Sequence, residues 1–195
     1  ADLGGRLSVE MGGALDRTRG FFLFQCHTAL RYSDLKQLRK DNIISREDGS
    51  LEVKKLTEKD DDYIRFKLSK TAIEIYNKYK DNEYEGGALF PILSNQKYND
   101  HLKELGKVAG LEGYWTDYEY RLNEKIEVKS KKCDLESHTA RRTFIVVALN
   151  EGISTDLIAL ITSHSDVKAM KPYIALNSKG TDKVIDALDK ATGKK

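Results

Sequence analysis

The sequence predicts an α+β domain, mainly α-helical, with one small three-stranded antiparallel sheet. Three observations predict it. The 195 residues include two prolines, so few positions forbid a continuing helix. Apolar residues recur at three- and four-residue intervals through much of the chain, the spacing that lines one helical face. Between residues 42 and 68 that period gives way to short segments separated by turn-forming clusters. A chain of this length can bury one well-formed domain, or a main domain with a small appendage.

Residues 1–14 are Gly-rich, and a flexible N-terminal segment is expected there. Residues 15–30 read as a helix with Leu15, Arg19, Phe22 and Cys26 on one face. Ser33 is placed to cap a second, short helix, Asp34–Lys40, whose first-turn Asp34 suits the helix dipole. Asn42–Arg46, Leu51–Leu56 and Tyr63–Leu68 read as strands, broken at Glu47-Asp48-Gly49-Ser50 and at Lys59-Asp60-Asp61-Asp62. Ser69 caps a helix over Thr71–Lys80, with Ile73, Tyr76 and the Lys80 stem on one side. Gly86-Gly87 closes that region, and Asn95–Gly110 forms a further helix. In residues 112–134, Tyr114, Trp115, Tyr118 and Tyr120 precede the alternating Lys125-Ile126-Glu127-Val128-Lys129, which reads as a two-stranded excursion. Helical spacing returns over 138–151 (Phe144, Val147, Ala148) and 155–163 (Leu157, Ile158, Leu160, Ile161). A last amphipathic segment, Thr181–Leu188, aligns Val184, Ile185 and Leu188. There is no internal repeat and no low-complexity tract.

Composition narrows the function classes. Charged residues make up 33% and apolar residues 39%, as in ordinary globular proteins. A net charge of +2 does not by itself mark a nucleic-acid binder, so any DNA-binding surface must be local. Residues 121–142, with seven Lys/Arg against four Asp/Glu, and residues 165–195, with seven Lys against four Asp, could supply one. Cys26 and Cys133 form neither a disulfide framework nor metal-ligand spacing, which suits a reducing, cytoplasmic setting. No 18-residue apolar stretch and no secretory signal pattern occur. The opening Ala1-Asp2-Leu3-Gly4-Gly5 lacks a start methionine, which suggests a fragment of a longer chain.

Chemistry-bearing residues fall in three blocks. Arg31 lies in Thr28-Ala29-Leu30-Arg31-Tyr32-Ser33-Asp34-Leu35, and His138 and Arg141 lie in Ser137-His138-Thr139-Ala140-Arg141-Arg142-Thr143-Phe144. His164 follows Thr162-Ser163, with Tyr173 nine positions later behind Pro172. A phosphodiester repels nucleophiles with its own charge, so metal-free cleavage needs fixed positive charge and several hydrogen-bond donors. Arginine suits this task because its planar fork grips two phosphate oxygens. Arg31 and Arg141 are 110 positions apart and can meet only through folding, whereas His138 and Arg141, at i and i+3, share one helical face. Pro172 disfavours the α conformation for Lys171 and bends the chain ahead of Tyr173.

Taken together, order and spacing resemble the tyrosine recombinase (phage integrase) family. Its two arginine boxes run roughly Thr-Gly-Leu-Arg-x-Ser-Glu-Leu and His-x-Leu-Arg-His-Thr-Phe. Its third block is Leu-Gly-His, with a tyrosine nine residues after the histidine. Here Ala29 stands for the glycine and Ala140 for the leucine, both read as mild changes, and Thr162-Ser163 replaces Leu-Gly. The family's hairpin lysine matches Lys59, ten residues before Ser69, with Lys54 and Lys55 as neighbouring alternatives. Asp34 matches the acidic position of the first box and is expected to orient neighbouring side chains, while His27 and His101 match nothing and are read as structural or surface residues.

The resemblance implies a site-specific recombinase that acts without metal or other cofactor. In it Tyr173 is the nucleophile and forms a 3′-phosphotyrosyl link. Arg31 and Arg141 hold the phosphate oxygens, His138 shares the tyrosine proton, His164 donates to the phosphate, and Lys59 protonates the leaving 5′-oxygen. It further implies double-stranded DNA recombination sites as partner, a tetramer on DNA, and accessory DNA-bending or directionality proteins. On this reading residues 1–14 are a flexible segment, 15–178 the catalytic domain, and 179–195 a helical tail that is a candidate for exchange between protomers. Two rivals stand beside it: a type IB topoisomerase-like nicking-closing enzyme, and an inactive DNA-binding module of the same fold. A metal-dependent nuclease fits poorly, because no carboxylate cluster accompanies these residues in sequence.

Overall fold

The structure is a computed structural model that describes residues 13–57, 63–121 and 124–163. Along these residues run α1 (Gly13–Thr28), α2 (Tyr32–Lys36), β1 (Ile43–Ser45), β2 (Leu51–Leu56), β3 (Tyr63–Lys67) and α3 (Lys70–Tyr79). Beyond them come α4 (Asn95–Val108), β4 (Tyr114–Arg121), β5 (Glu124–Lys131), α5 (Ser137–Asn150) and α6 (Thr155–Thr162). Short 3-10 turns occupy Lys40–Asn42 and Glu85–Gly87. The fold is therefore mainly helical with a three-stranded antiparallel sheet, as the sequence predicts.

Helix α1 packs against α3, α4 and α5 at once, so its burial is not confined to one stripe. Thr18, Phe21, Phe22, Phe24, Gln25 and Thr28 are buried, whereas Leu15, Arg19 and Cys26 of the expected face are only partly covered. Phe21, Phe24, Tyr79 and Phe90 meet edge-on or tilted, with centroids 5.0–5.3 Å apart. Aromatic pairs prefer such arrangements to a face-to-face sandwich, and they fix the side chains that seat α1.

The small sheet has the order β1-β2-β3. Val53 sits opposite Ile43 and Phe66, and Lys55 opposite Ile64, which forms the inward row. Glu52, on the other face, is also fully buried; Arg46 and Arg65 close over its carboxylate, the latter at 2.7 Å. Burial works against that charge, but the two guanidiniums prevail and hold it below the usual carboxylate range. Strands β4 and β5 pair antiparallel over their whole length, in the stretch read as a two-stranded excursion.

Three further details differ from the sequence reading. Helix α2 starts at Tyr32 with Arg31 at its N-cap position, so Ser33 lies within the first turn and does not cap it. The same helix stops at Lys36 rather than Lys40, because buried Leu38 turns its carbonyl to the Leu89 N–H (2.7 Å) and Arg39 bridges to Ala88. In α3 the buried row is Ala72, Ile75 and Tyr79, one position away from the predicted Ile73 and Tyr76; the Ser69 cap is present, accepting from the Ala72 N–H. The expected helix Thr181–Leu188 and most of the N-terminal segment lie outside the described residues.

Helix α4 crosses the chain that leads into α5 at Gly106. A Cβ there would lie 2.2 Å from the Cys133 carbonyl oxygen, so only glycine allows this approach. Nearer the start of α4, Asn99 Oδ1 accepts from the Ser137 N–H at 2.9 Å, which sets the start of α4 beside the start of α5.

Candidate active site

The site is built on two helix ends. Helix α1 stops at Thr28, and Ala29 takes a left-handed conformation (φ 55°) with its N–H bonded to the Gln25 carbonyl at 2.8 Å. This is an αL cap, the usual way to satisfy a last-turn carbonyl. Buried Gln25 fixes the turn beyond it: its Nε2 donates to the Leu30 carbonyl (3.1 Å) while its Oε1 accepts from the Tyr98 hydroxyl (2.8 Å). Arg31 then leaves the turn in an extended conformation at the head of α2. Gln25 and Tyr98 were not singled out from sequence. The available signal was a polar amide inside Phe21-Phe22-Leu23-Phe24-Gln25-Cys26.

The second end belongs to α6. Ser163, just beyond it, is also left-handed (φ 49°), and its N–H bonds to the Ala159 carbonyl. Arg141 of α5, only 4% exposed, reaches both ends: Nη1 donates to the Ala29 carbonyl at 2.9 Å, and Nη2 to the Thr162 carbonyl. Arg31 Nη2 lies 3.4 Å from the Ser163 carbonyl, to which it donates. Both guanidiniums thus rest against the carbonyl, partially negative ends of helices, where a cation is favoured.

His138 lies in the first turn of α5, three residues before Arg141, at the exposed edge of the site. Partial desolvation first, and then the charges of Arg142 and Arg141, push its pKa below the ordinary 6.5. The imidazole is therefore neutral near pH 7 and able to accept a proton.

Arg31, His138 and Arg141 line one cleft of about 320 Å³, together with Tyr32, Ser33, Asn95 and Ser137. The fold thus brings together three of the six residues expected to act. The other three, Lys59, His164 and Tyr173, lie outside the described residues. Of the alternatives to Lys59, Lys54 sits 5.7 Å over the Tyr63 ring. Lys55 is buried, donates to the Leu56 carbonyl, and faces a separate cleft beside Lys36 and Arg39. Asp34 is buried in the first turn of α2. His27 and His101 have structural partners, Ser69 Oγ at 3.1 Å and Thr18 Oγ1 at 3.3 Å. Among the described residues, no group of three or more His, Cys, Asp or Glu could hold a metal ion, and no helix is long and apolar enough to cross a membrane.

The sequence pattern of the phage integrase family matches residues 14–179. The chain belongs to that family. No curated protein matches it. Among solved structures, the XerH site-specific recombinase, bound to a palindromic difH substrate in a post-cleavage complex, is similar with a TM-score of 0.67 and 14% identity. That match covers 96% of this chain and 49% of XerH. The Tn1549 transposon integrase, in complex with circular intermediate DNA, gives a TM-score of 0.62 at 13% identity over 95% of this chain and 64% of that one. XerA recombinase gives 0.59 at 15% identity, over 92% and 65%. The chain spans about half to two thirds of the length of the chains in these structures, and at such identities the likeness concerns the fold.

The integrase fold gives the two replaced glycines a physical meaning. Among the described residues, Ala29 and Ser163 are the two non-glycine positions with positive φ. They are also the two positions where the family's sequence blocks have glycine. Ala29 is therefore not a mild change for the backbone: an L-residue there carries left-handed strain of roughly 1–2 kcal/mol. The strain persists in a turn whose carbonyl holds Arg141.

Proposed function

We propose that this chain is the catalytic domain of a site-specific DNA recombinase that cleaves and rejoins DNA through a 3′-phosphotyrosyl intermediate. One observation carries the reading: Arg31 and Arg141, distant in sequence, share one cleft with His138. In the proposed step the Tyr173 oxygen attacks the scissile phosphorus, and the P–O bond to the 5′-oxygen breaks. His138 accepts the tyrosine proton, and Lys59 delivers a proton to the leaving 5′-oxygen. Arg31 and Arg141 hold the two non-bridging oxygens, and His164 donates a further hydrogen bond to the developing charge. Loss of one such donor is expected to cost about 3–4 kcal/mol, roughly a hundred- to a thousandfold in rate. The phosphotyrosyl bond conserves the energy of the phosphodiester, so attack by a free 5′-hydroxyl of a partner strand completes the exchange. Double-stranded recombination sites are the proposed partner, engaged by a tetramer with accessory DNA-bending or directionality proteins.

The test is incubation with a nicked suicide duplex, which traps the covalent product. Wild type is expected to form an SDS-stable adduct and Tyr173→Phe none. An adduct with Tyr173→Phe removes the nucleophile assignment, and no adduct with wild type on any site favours the inactive-module reading. Relaxation of supercoiled plasmid without strand exchange favours the topoisomerase-like one.

A further inference from the structure

We propose that Asn95 is a ligand for the DNA backbone phosphate adjacent to the scissile one, with its carboxamide oriented by a relay from α5. This rests on the recombinase reading. Ser137 begins α5, and its backbone N–H is one of the donors that a helix leaves without an internal partner. An N–H can only donate, so the Asn99 atom that it meets at 2.9 Å is the oxygen, Oδ1. Asn99 is then left with Nδ2 to offer, and Nδ2 donates to Asn95 Oδ1 at 3.3 Å. With its oxygen turned toward Asn99, Asn95 presents the NH2 group. Among the described residues that nitrogen donates to nothing, and Asn95 is exposed on the wall of the cleft that holds Arg31, His138 and Arg141.

The same geometry selects the ligand class. Asparagine reads a base edge through a bidentate contact that uses its oxygen and its nitrogen together. Here Asn99 binds one lone pair of the oxygen and turns that oxygen toward α4, so the group directs its NH2 outward, a donor suited to an acceptor-only oxygen such as that of a phosphodiester. Asn95 is also the first residue of α4, and α4 and α5, each of 14 residues, both begin at this cleft. Their positive ends add to the field of the two guanidiniums. A neutral donor on a third element, beside arginines given to the scissile phosphate, meets the neighbouring one and sets the register of the strand.

Equilibrium binding of a fluorescent duplex tests this. Asn95→Ala is expected to weaken binding about tenfold, alike for every sequence. Its salt slope stays that of wild type because no charge is lost, whereas Arg31→Ala lowers the slope by about one. Asn95→Asp weakens binding further. Asn99→Asp keeps the acceptor for Ser137 but removes the donor to Asn95, and is expected to bind weakly at unchanged melting temperature. Single methylphosphonate replacements should cost wild type affinity at one phosphate next to the scissile one and cost Asn95→Ala nothing further there. Wild-type affinity in Asn95→Ala, or the same methylphosphonate losses at every position in both proteins, overturns the proposal. An adduct-forming wild type with unaffected Asn95→Ala removes this contact and leaves the recombinase reading standing. The phosphate pattern without any wild-type adduct does the reverse.

Discussion

Replacing Arg141 with alanine should unfold the domain more readily as well as abolish its activity, and Arg31→Ala should separate the two effects. Arg141 is buried and ties the carbonyls of Ala29 and Thr162, the ends of α1 and α6, to α5. Truncation leaves two acceptors in a place that water reaches poorly. At about 1–3 kcal/mol for each unsatisfied buried group, the loss is about 2–6 kcal/mol, a large share of the roughly 5–15 kcal/mol typical of a domain. For a chain of this size that corresponds to a fall in melting temperature of about 4–24 °C. Arg31 is only partly buried, and its contact to the Ser163 carbonyl is long at 3.4 Å. Its removal is expected to lower the melting temperature by less than about 3 °C, because a partly solvated contact is worth about 1 kcal/mol or less. Arg141→Lys falls between, since one ammonium cannot reproduce the fork. Thermal unfolding measured by circular dichroism reads all three. A melting temperature for Arg141→Ala equal to that of wild type, or an equal loss in Arg31→Ala, refutes the idea that the buried fork holds the two helix ends together.

Further predictions rest on single features. His138 is held below the ordinary 6.5 by desolvation, Arg142 and Arg141, so adduct formation should fall on acidification with a midpoint below pH 6.5. Protonation would remove the proposed base, and Arg142→Ala, by removing a neighbouring positive charge, should move that midpoint upward in the same single-turnover assay. Gly106→Ala would place a methyl 2.2 Å from the Cys133 carbonyl oxygen and should destabilise the fold by about 3 kcal/mol or more, seen as loss of soluble protein or of the cooperative melt. Ala29→Gly and Ser163→Gly relieve left-handed strain, and each should raise the melting temperature by about 2–4 °C, the equivalent of about 1 kcal/mol.

The parts of the fold that local chemistry decides were legible in the sequence. The bounds of β2, the Ser69 cap and the shared face of His138 and Arg141 depend on residues a few positions apart. Tertiary competition decided the rest. Leu38 leaves the predicted helix because the Leu89 N–H offers its carbonyl a partner across the fold. The buried face of α1 is wider than one stripe because three helices cover it. Gln25 reads as a stray polar residue until Tyr98, 73 positions later, meets its oxygen. The Asn95–Asn99 relay has no meaning until Ser137 arrives above it, 38 positions beyond Asn99. The strain at Ala29 and Ser163 was visible only as a departure from a family glycine, because φ is not written in a side chain.

The proposed role of Tyr173 as the nucleophile of strand cleavage is tested by mass spectrometry of the peptide that stays attached to a suicide substrate after nuclease and protease digestion. A single DNA-linked peptide containing Tyr173, joined through its phenolic oxygen to a 3′-phosphate, is expected. Linkage to another residue, or to a 5′-phosphate, would contradict it.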